Sequence, residues 1–91
     1  MTLRDAYLSF SLYTDAELIR LTTDTAPLRQ GDRHYDVLVT DRNSAGAWYT
    51  VAAPNKVTAK KIAREYAARI EQDVYFSGHP VVTVIHRSDQ E

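Results

Sequence analysis

The chain has 91 residues, of which 44% are hydrophobic and 25% are charged; this composition is typical of one globular domain rather than of a disordered chain. It has no cysteine, which excludes disulfides, thiolate metal ligands and a cysteine nucleophile. With a formal net charge of −1 and no apolar run of about 18 residues, we expect a single cytoplasmic domain, residues 1–91, that does not enter a membrane.

The first segment with a regular pattern fits two periods. Residues 7–14 (YLSFSLYT) alternate apolar and polar side chains as a strand does, yet together with Leu3 their apolar residues also recur at helical spacing. Residues 14–21 (TDAELIRL) then predict a helix, because Thr14 and Glu17 have the spacing of a capping box.

A β-hairpin and a final strand are predicted in the second half of the chain. Residues 34–41 (HYDVLVTD) alternate as a half-buried strand does, and residues 47–53 (AWYTVAA) follow after a loop of Asn, Ser and Gly. Residues 81–86 (VVTVIH) are β-branched except for the last, which is typical of a central strand.

A second helix is predicted between the hairpin and the final strand. It begins after Asn55, which has the chemistry of an N-cap, and runs to about Asp73. Glu65 and Arg69 form an i,i+4 pair in the favourable order, which contributes about 0.2–0.5 kcal/mol to an isolated helix.

These elements predict an α+β domain with helices on one face of a single antiparallel sheet. If residues 7–14 form a strand, the order is β-α-β-β-α-β, which is the ferredoxin-like plan and is the one we expect. If they form a helix, the order becomes α-α-β-β-α-β, with three strands.

Positive charge is concentrated in the middle of the chain. Residues 1–41 carry four arginines and seven acids, and residues 65–91 carry two arginines and five acids, so each flank has a net charge of −3. Residues 42–64 carry five cations and no acid; the cations are Arg42, Lys56, Lys60, Lys61 and Arg64. Each cation at a helix start costs roughly 0.3–1 kcal/mol against the helix dipole. We therefore predict a partner- or anion-binding surface.

Trp48 and Tyr49 are adjacent on the second strand of the predicted hairpin, so their side chains point to opposite faces of the sheet. One enters the core, and the other lies on the face that the helices leave open. An aromatic ring there can stack on a nucleic-acid base. Both residues are therefore candidates for partner binding.

Catalysis and metal binding have weak support in the sequence. His34 and Asp36 share one strand face, but this spacing is common by chance, and no nucleophile motif or glycine-rich phosphate loop accompanies them. His79 lies in a turn and His86 at a strand end. We expect a protein that is not an enzyme and that uses no metal or cofactor.

The sequence favours a small interaction module that docks its basic helix face, residues 55–64, on an acidic or nucleoprotein partner. In size and plain composition the chain is similar to phage and mobile-element inhibitors of host nucleic-acid-targeting complexes, such as anti-CRISPR proteins. This similarity rests on no motif, and it implies an inhibitory role. The other alternative is a direct single-stranded nucleic-acid binder, although such proteins are usually basic overall. Sheet edges and surface tyrosines are also compatible with a homodimer.

Overall fold

The computed structural model describes residues 12–23, 28–41, 46–71 and 79–87. These ranges contain, in chain order, helix α1 (Asp15–Leu21), strands β1 (Arg33–Thr40) and β2 (Gly46–Ala53), helix α2 (Lys56–Arg69) and strand β3 (Val81–Arg87). The fold is therefore α+β, as predicted from the sequence. In the part of the chain that the structure describes, no helix is long and apolar enough to cross a membrane.

The three strands form one antiparallel sheet in the order β2-β1-β3. β1 is the central strand, and Val37 in its middle lies opposite Tyr49 of β2 on one side and Ile85 of β3 on the other. The pairing with β3 changes register after Leu38. The predicted hairpin and the predicted final strand are both present.

The ferredoxin-like order is not confirmed. In that order the strand that begins the internal hairpin lies at an edge of the sheet, whereas β1 has a partner on each side. Of the predicted first strand, residues 7–11 lie outside the described residues, and residues 12–14 are not in a strand. The described elements follow α-β-β-α-β, which both predicted orders contain.

Each helix begins at the cap that its sequence predicts. The backbone N–H of Glu17 donates to Thr14 Oγ1 at 3.1 Å at the start of α1. The backbone N–H of Thr58 donates to Asn55 Oδ1 at 2.8 Å at the start of α2. A side-chain cap of this kind stabilises a helix by about 1 kcal/mol.

Helix α2 ends earlier than the sequence predicts. Its last helical residue is Arg69 rather than Asp73. The backbone N–H groups of Ile70 and Glu71 both donate to the carbonyl oxygen of Tyr66, at 2.9 and 3.4 Å. The regular series of i→i−4 hydrogen bonds therefore ends here, because two successive amides share one acceptor.

The core lies between α2 and one face of the sheet. Tyr35, Val37 and Val39 of β1 are buried and alternate with less buried residues. They pack in one cluster with Ile62 of α2 and Leu18 of α1. Alanines make up much of the buried face of α2, at positions 59, 63 and 67. Small side chains let the helix approach the sheet closely, and α2 contacts all three strands.

The Glu65–Arg69 pair is buried, which corrects the small contribution assigned to it from spacing alone. Both side chains are 2% exposed, and Glu65 Oε1 lies 3.8 Å from Arg69 Nη1. Arg69 also donates to Asp15 Oδ1 at 2.6 Å and to the backbone oxygen of Tyr13 at 2.7 Å. The arginine therefore ties the end of α2 to the start of α1.

Candidate functional site

The first candidate surface is the outer side of the first half of α2. We call the surface formed by Lys56, Val57, Lys60, Lys61 and Arg64 the basic face. Its three lysines are exposed and Arg64 is half-buried. The buried residues Ala59, Ile62 and Ala63 occupy the opposite side of the same turns, so the chain's own packing directs these cations outward.

The cations of the basic face have no ionic partner among the residues that the structure describes. The first turn of α2 contains no acid, so nothing in the helix offsets the positive end of its dipole. The charge of Lys56, which lies in that turn, is therefore unfavourable by roughly 0.3–1 kcal/mol at low salt, and the effect falls off for the cations farther along α2. A negative surface placed against the basic face would attract both the cations and the positive end of the helix dipole, and would so offset this cost.

Val57 is an apolar residue at the centre of the basic face. It is 79% exposed, and it shares one helix face with Lys60, Lys61 and Arg64 because they follow it at i+3, i+4 and i+7. Val57 was not among the binding residues predicted from the sequence. The spacing alone could have identified it, because helix periodicity places Val57 on the side of α2 that carries the lysines and not on the side that faces the core.

Arg42, the fifth cation of the basic segment, lies outside the described residues. The sequence places it in the loop between β1 and β2, away from α2 along the chain. Its membership of the binding surface stays a prediction.

Trp48 and Tyr49 point to opposite faces of the sheet, as strand alternation predicts. The ring of Tyr49 packs edge-on against Tyr66 of α2, with ring centroids 5.1 Å apart and an angle of 69° between the planes. Tyr49 therefore helps to join β2 to α2. Trp48 is 56% exposed and lies on the other side.

The second candidate surface is the side of the sheet away from α2, which we call the outer sheet face. Two cross-strand rows define its centre. Thr50, Asp36 and His86 form one row, and Trp48, Leu38 and Val84 form the next. The exposed part of this face does not extend to the far end of β2, where Ala52 is buried.

A shallow depression of about 350 Å³ lies between these rows and is lined by Asp36, Trp48 and His86. The rings of Trp48 and His86 are 5.8 Å apart, with 54° between their planes. They come from the two outer strands, whose backbones are about 10 Å apart across β1. Both rings therefore lean inward over the central strand.

The hydrogen bonds of the depression fix its polar groups. Thr50 Oγ1 donates to Asp36 Oδ1 at 3.1 Å. His86 Nδ1 lies 3.2 Å from the backbone oxygen of Arg87. His34 lies on the same face, two residues before Asp36, and is half-buried. Within the described ranges, no three His, Asp or Glu side chains are grouped to hold a metal ion.

The basic face and the outer sheet face lie on opposite sides of the molecule. The sheet separates Trp48 from α2, because Trp48 and the core-facing Tyr49 are on opposite sides of β2. The structure therefore does not bring the predicted site residues together. It separates the cations of α2 from the exposed aromatic ring of β2.

Comparison of this chain with protein-family models, with curated proteins and with solved structures gives no match.

Proposed function

We propose that the chain is a non-catalytic cytoplasmic interaction module that docks its basic face on an acidic surface of a larger protein or nucleoprotein assembly. The observation that carries this proposal is the set of four cations around the start of α2 that have no ionic partner in the described structure. Like charges four residues apart on a helix repel each other, as Lys56 and Lys60 do, and carboxylates placed against them offset this repulsion.

The exposed valine favours a protein surface over bare phosphates as the ligand. Val57 lies among the lysines with 79% of its surface in water. Burying an exposed valine against another apolar side chain contributes roughly 1.5–3 kcal/mol when the burial is complete. A phosphate backbone has no matching apolar group, whereas an acidic helix or loop readily presents a leucine between its carboxylates.

Single-stranded nucleic acid is less well supported than a protein, because the two features that it needs are on opposite sides. Single-strand binders combine phosphate contacts with base stacking in one groove. Here the lysines lie on α2, while Trp48 lies across the sheet beside the carboxylate of Asp36. A carboxylate next to the ring opposes the approach of phosphates.

The direct test is a fluorescence-anisotropy titration with a short labelled peptide of glutamate and leucine residues. The titrations are run at about 50 and about 200 mM salt, because exposed charge pairs are screened over a Debye length. A thymidine oligonucleotide and a DNA duplex of the same length serve as competing ligands. The acidic peptide should bind more tightly than either, and its affinity should fall with salt.

Two charge-reversal variants make the test specific. Lys60→Glu with Lys61→Glu changes the basic face, while Arg29→Glu with Arg33→Glu makes the same change in net charge at exposed positions elsewhere. We expect roughly a tenfold loss of affinity in the first variant, since exposed charge pairs contribute about 0.2–1 kcal/mol each. Equal losses in both variants would show that only net charge matters. Preferential binding of the oligonucleotides would replace the proposal with direct nucleic-acid binding.

Val57→Ser separates the apolar contribution from the charged one. This variant keeps all four cations but removes the exposed valine from the centre of the basic face. We expect weaker binding of the leucine-containing peptide and unchanged binding of a peptide that contains glutamate alone. An unchanged affinity for both peptides would remove the reason for preferring a protein surface.

A further inference from the structure

The outer sheet face carries a carboxylate that has no positive partner in the described structure. Asp36 accepts one hydrogen bond, from the hydroxyl of Thr50 at 3.1 Å. No Lys, Arg or His of the described ranges lies within ion-pairing distance of it. Asp36 is half-buried, so its charge is less screened than that of a fully exposed carboxylate.

An exposed indole ring borders this carboxylate. Trp48 is 56% exposed and lines the same depression as Asp36. Its ring contacts His86 at 5.8 Å between centroids, a separation typical of two aromatic rings in direct contact. No further group fits between the two rings. A ligand would therefore lie against the exposed part of Trp48 rather than between the two rings.

The pairing of an indole ring with a carboxylate is the chemistry that recognises a cation. Trp provides the strongest cation–π surface of the aromatic side chains. A guanidinium group suits this geometry better than an ammonium group, because it is planar, stacks on a ring and donates two parallel hydrogen bonds to one carboxylate. The hydroxyl of Thr50 occupies only one acceptor position of Asp36.

We propose that the depression lined by Asp36, Trp48 and His86 binds an arginine side chain presented by a protein partner. Asp36 accepts the guanidinium hydrogen bonds, Trp48 stacks on the guanidinium plane, and His86 holds the indole in place. The apolar residues Leu38 and Val84 lie in the same cross-strand row as Trp48 and contact the arginine stem. This site is independent of the basic face and has the opposite charge preference.

The single tryptophan of the chain reports on this site directly, because Trp48 is the only indole. We would titrate the protein with a glycine–arginine–glycine peptide and follow the emission of Trp48 and the NMR signal of its indole N–H. Peptides with lysine or citrulline in place of arginine are the matched probes, since citrulline keeps the planar shape without the charge. The arginine peptide should shift both signals at the lowest concentration and citrulline should not.

Asp36→Asn is the central variant, because an asparagine oxygen can still accept the hydrogen bond from Thr50 while the charge is lost. We expect a loss of arginine-peptide affinity of roughly fivefold or more. Trp48→Phe, followed by calorimetry, should also weaken binding, because phenylalanine is a poorer cation–π partner. Lys60→Glu with Lys61→Glu should leave arginine binding unchanged, which separates this site from the proposed docking function.

Three outcomes would overturn the assignment. A citrulline peptide that binds as tightly as the arginine peptide, or an Asp36→Asn variant that binds as tightly as the unchanged protein, would remove the role of charge. A thymidine oligonucleotide that quenches Trp48 more effectively than the arginine peptide would assign the site to a base. Self-association that Asp36→Asn abolishes would place a second copy of the chain, rather than a partner, on this face.

Discussion

Arg69 joins the end of α2 to the start of α1 through charged groups that are largely buried. Its guanidinium donates to Asp15 Oδ1 at 2.6 Å and to the backbone oxygen of Tyr13 at 2.7 Å. Glu65 Oε1 lies 3.8 Å away, and neither carboxylate oxygen of Glu65 has a hydrogen-bond partner in the described structure. The charge of Arg69 is therefore what offsets the buried carboxylate.

Arg69→Met keeps a long side chain and removes the charge. Removing one partner of a buried ion pair costs about 3–5 kcal/mol, because the other charge stays buried. The side chain of Asp15 is 37% exposed, so water can solvate it and its share of the loss is small. We expect a loss near the lower end, about 3 kcal/mol in the free energy of unfolding. For a domain of this size the melting temperature falls by roughly 12–24 °C.

The assay is urea unfolding followed by circular dichroism, applied to a double-mutant cycle. Glu65→Met alone should cost less than Arg69→Met, because Arg69 keeps its bonds to Asp15 and Tyr13. The double variant, with methionine at both positions, should be more stable than Arg69→Met by about 1 kcal/mol or more, since no charge is left without a partner. A loss below about 1 kcal/mol for Arg69→Met, or a double variant no more stable than Arg69→Met, would refute this reasoning.

The remaining predictions concern the basic face, a half-buried phenol and the core. Lys60→Glu with Lys61→Glu should change the free energy of unfolding by no more than a few tenths of a kcal/mol, because both lysines are exposed and lie beyond the first turn of α2; a large loss in urea unfolding would show that these lysines pack against the fold. Burial raises the pKa of Tyr66 above 10.0, so stability is full below about pH 10 and falls as the pH rises through the raised pKa. In thermal melts over a series of alkaline pH values, the melting temperature of Tyr66→Phe should fall less steeply with pH than that of the unchanged protein. An equally steep fall would contradict this assignment. Val37→Ala, at a fully buried position, should lower the free energy of unfolding by about 2 kcal/mol. Val84→Ala, at 40% exposure, should lower it by less than about 0.5 kcal/mol. Similar losses for the two variants in urea unfolding would contradict the assignment of Val37 to the core.

Local signals predicted the elements of this fold well. Thr14 and Asn55 cap helices because their side-chain oxygens reach amide groups three residues ahead, and this depends only on the nearby sequence. The alternation of β1 predicts its buried face for the same reason. The order of the strands depends instead on which distant segments pair, and nothing local in β1 specifies that both of its edges are occupied.

The burial of Glu65 and Arg69 also depends on distant packing. An i,i+4 spacing gives the same ion pair whether the helix face is exposed or buried. Here the pair is buried because α1 packs beside it. The exposure of the lysines of α2 follows directly from helix periodicity and was predictable. The depression on the outer sheet face was not, because Trp48, Asp36 and His86 come from three strands whose register is set by the whole sheet.

The docking of the basic face is tested most directly by the affinity of the acidic leucine-containing peptide for two variants of equal net charge. We predict that Lys60→Glu with Lys61→Glu weakens binding roughly tenfold at about 50 mM salt, while Arg29→Glu with Arg33→Glu weakens it much less. Equal affinities of the two variants would contradict the account, because binding would then follow the charge of the whole chain rather than the surface of α2.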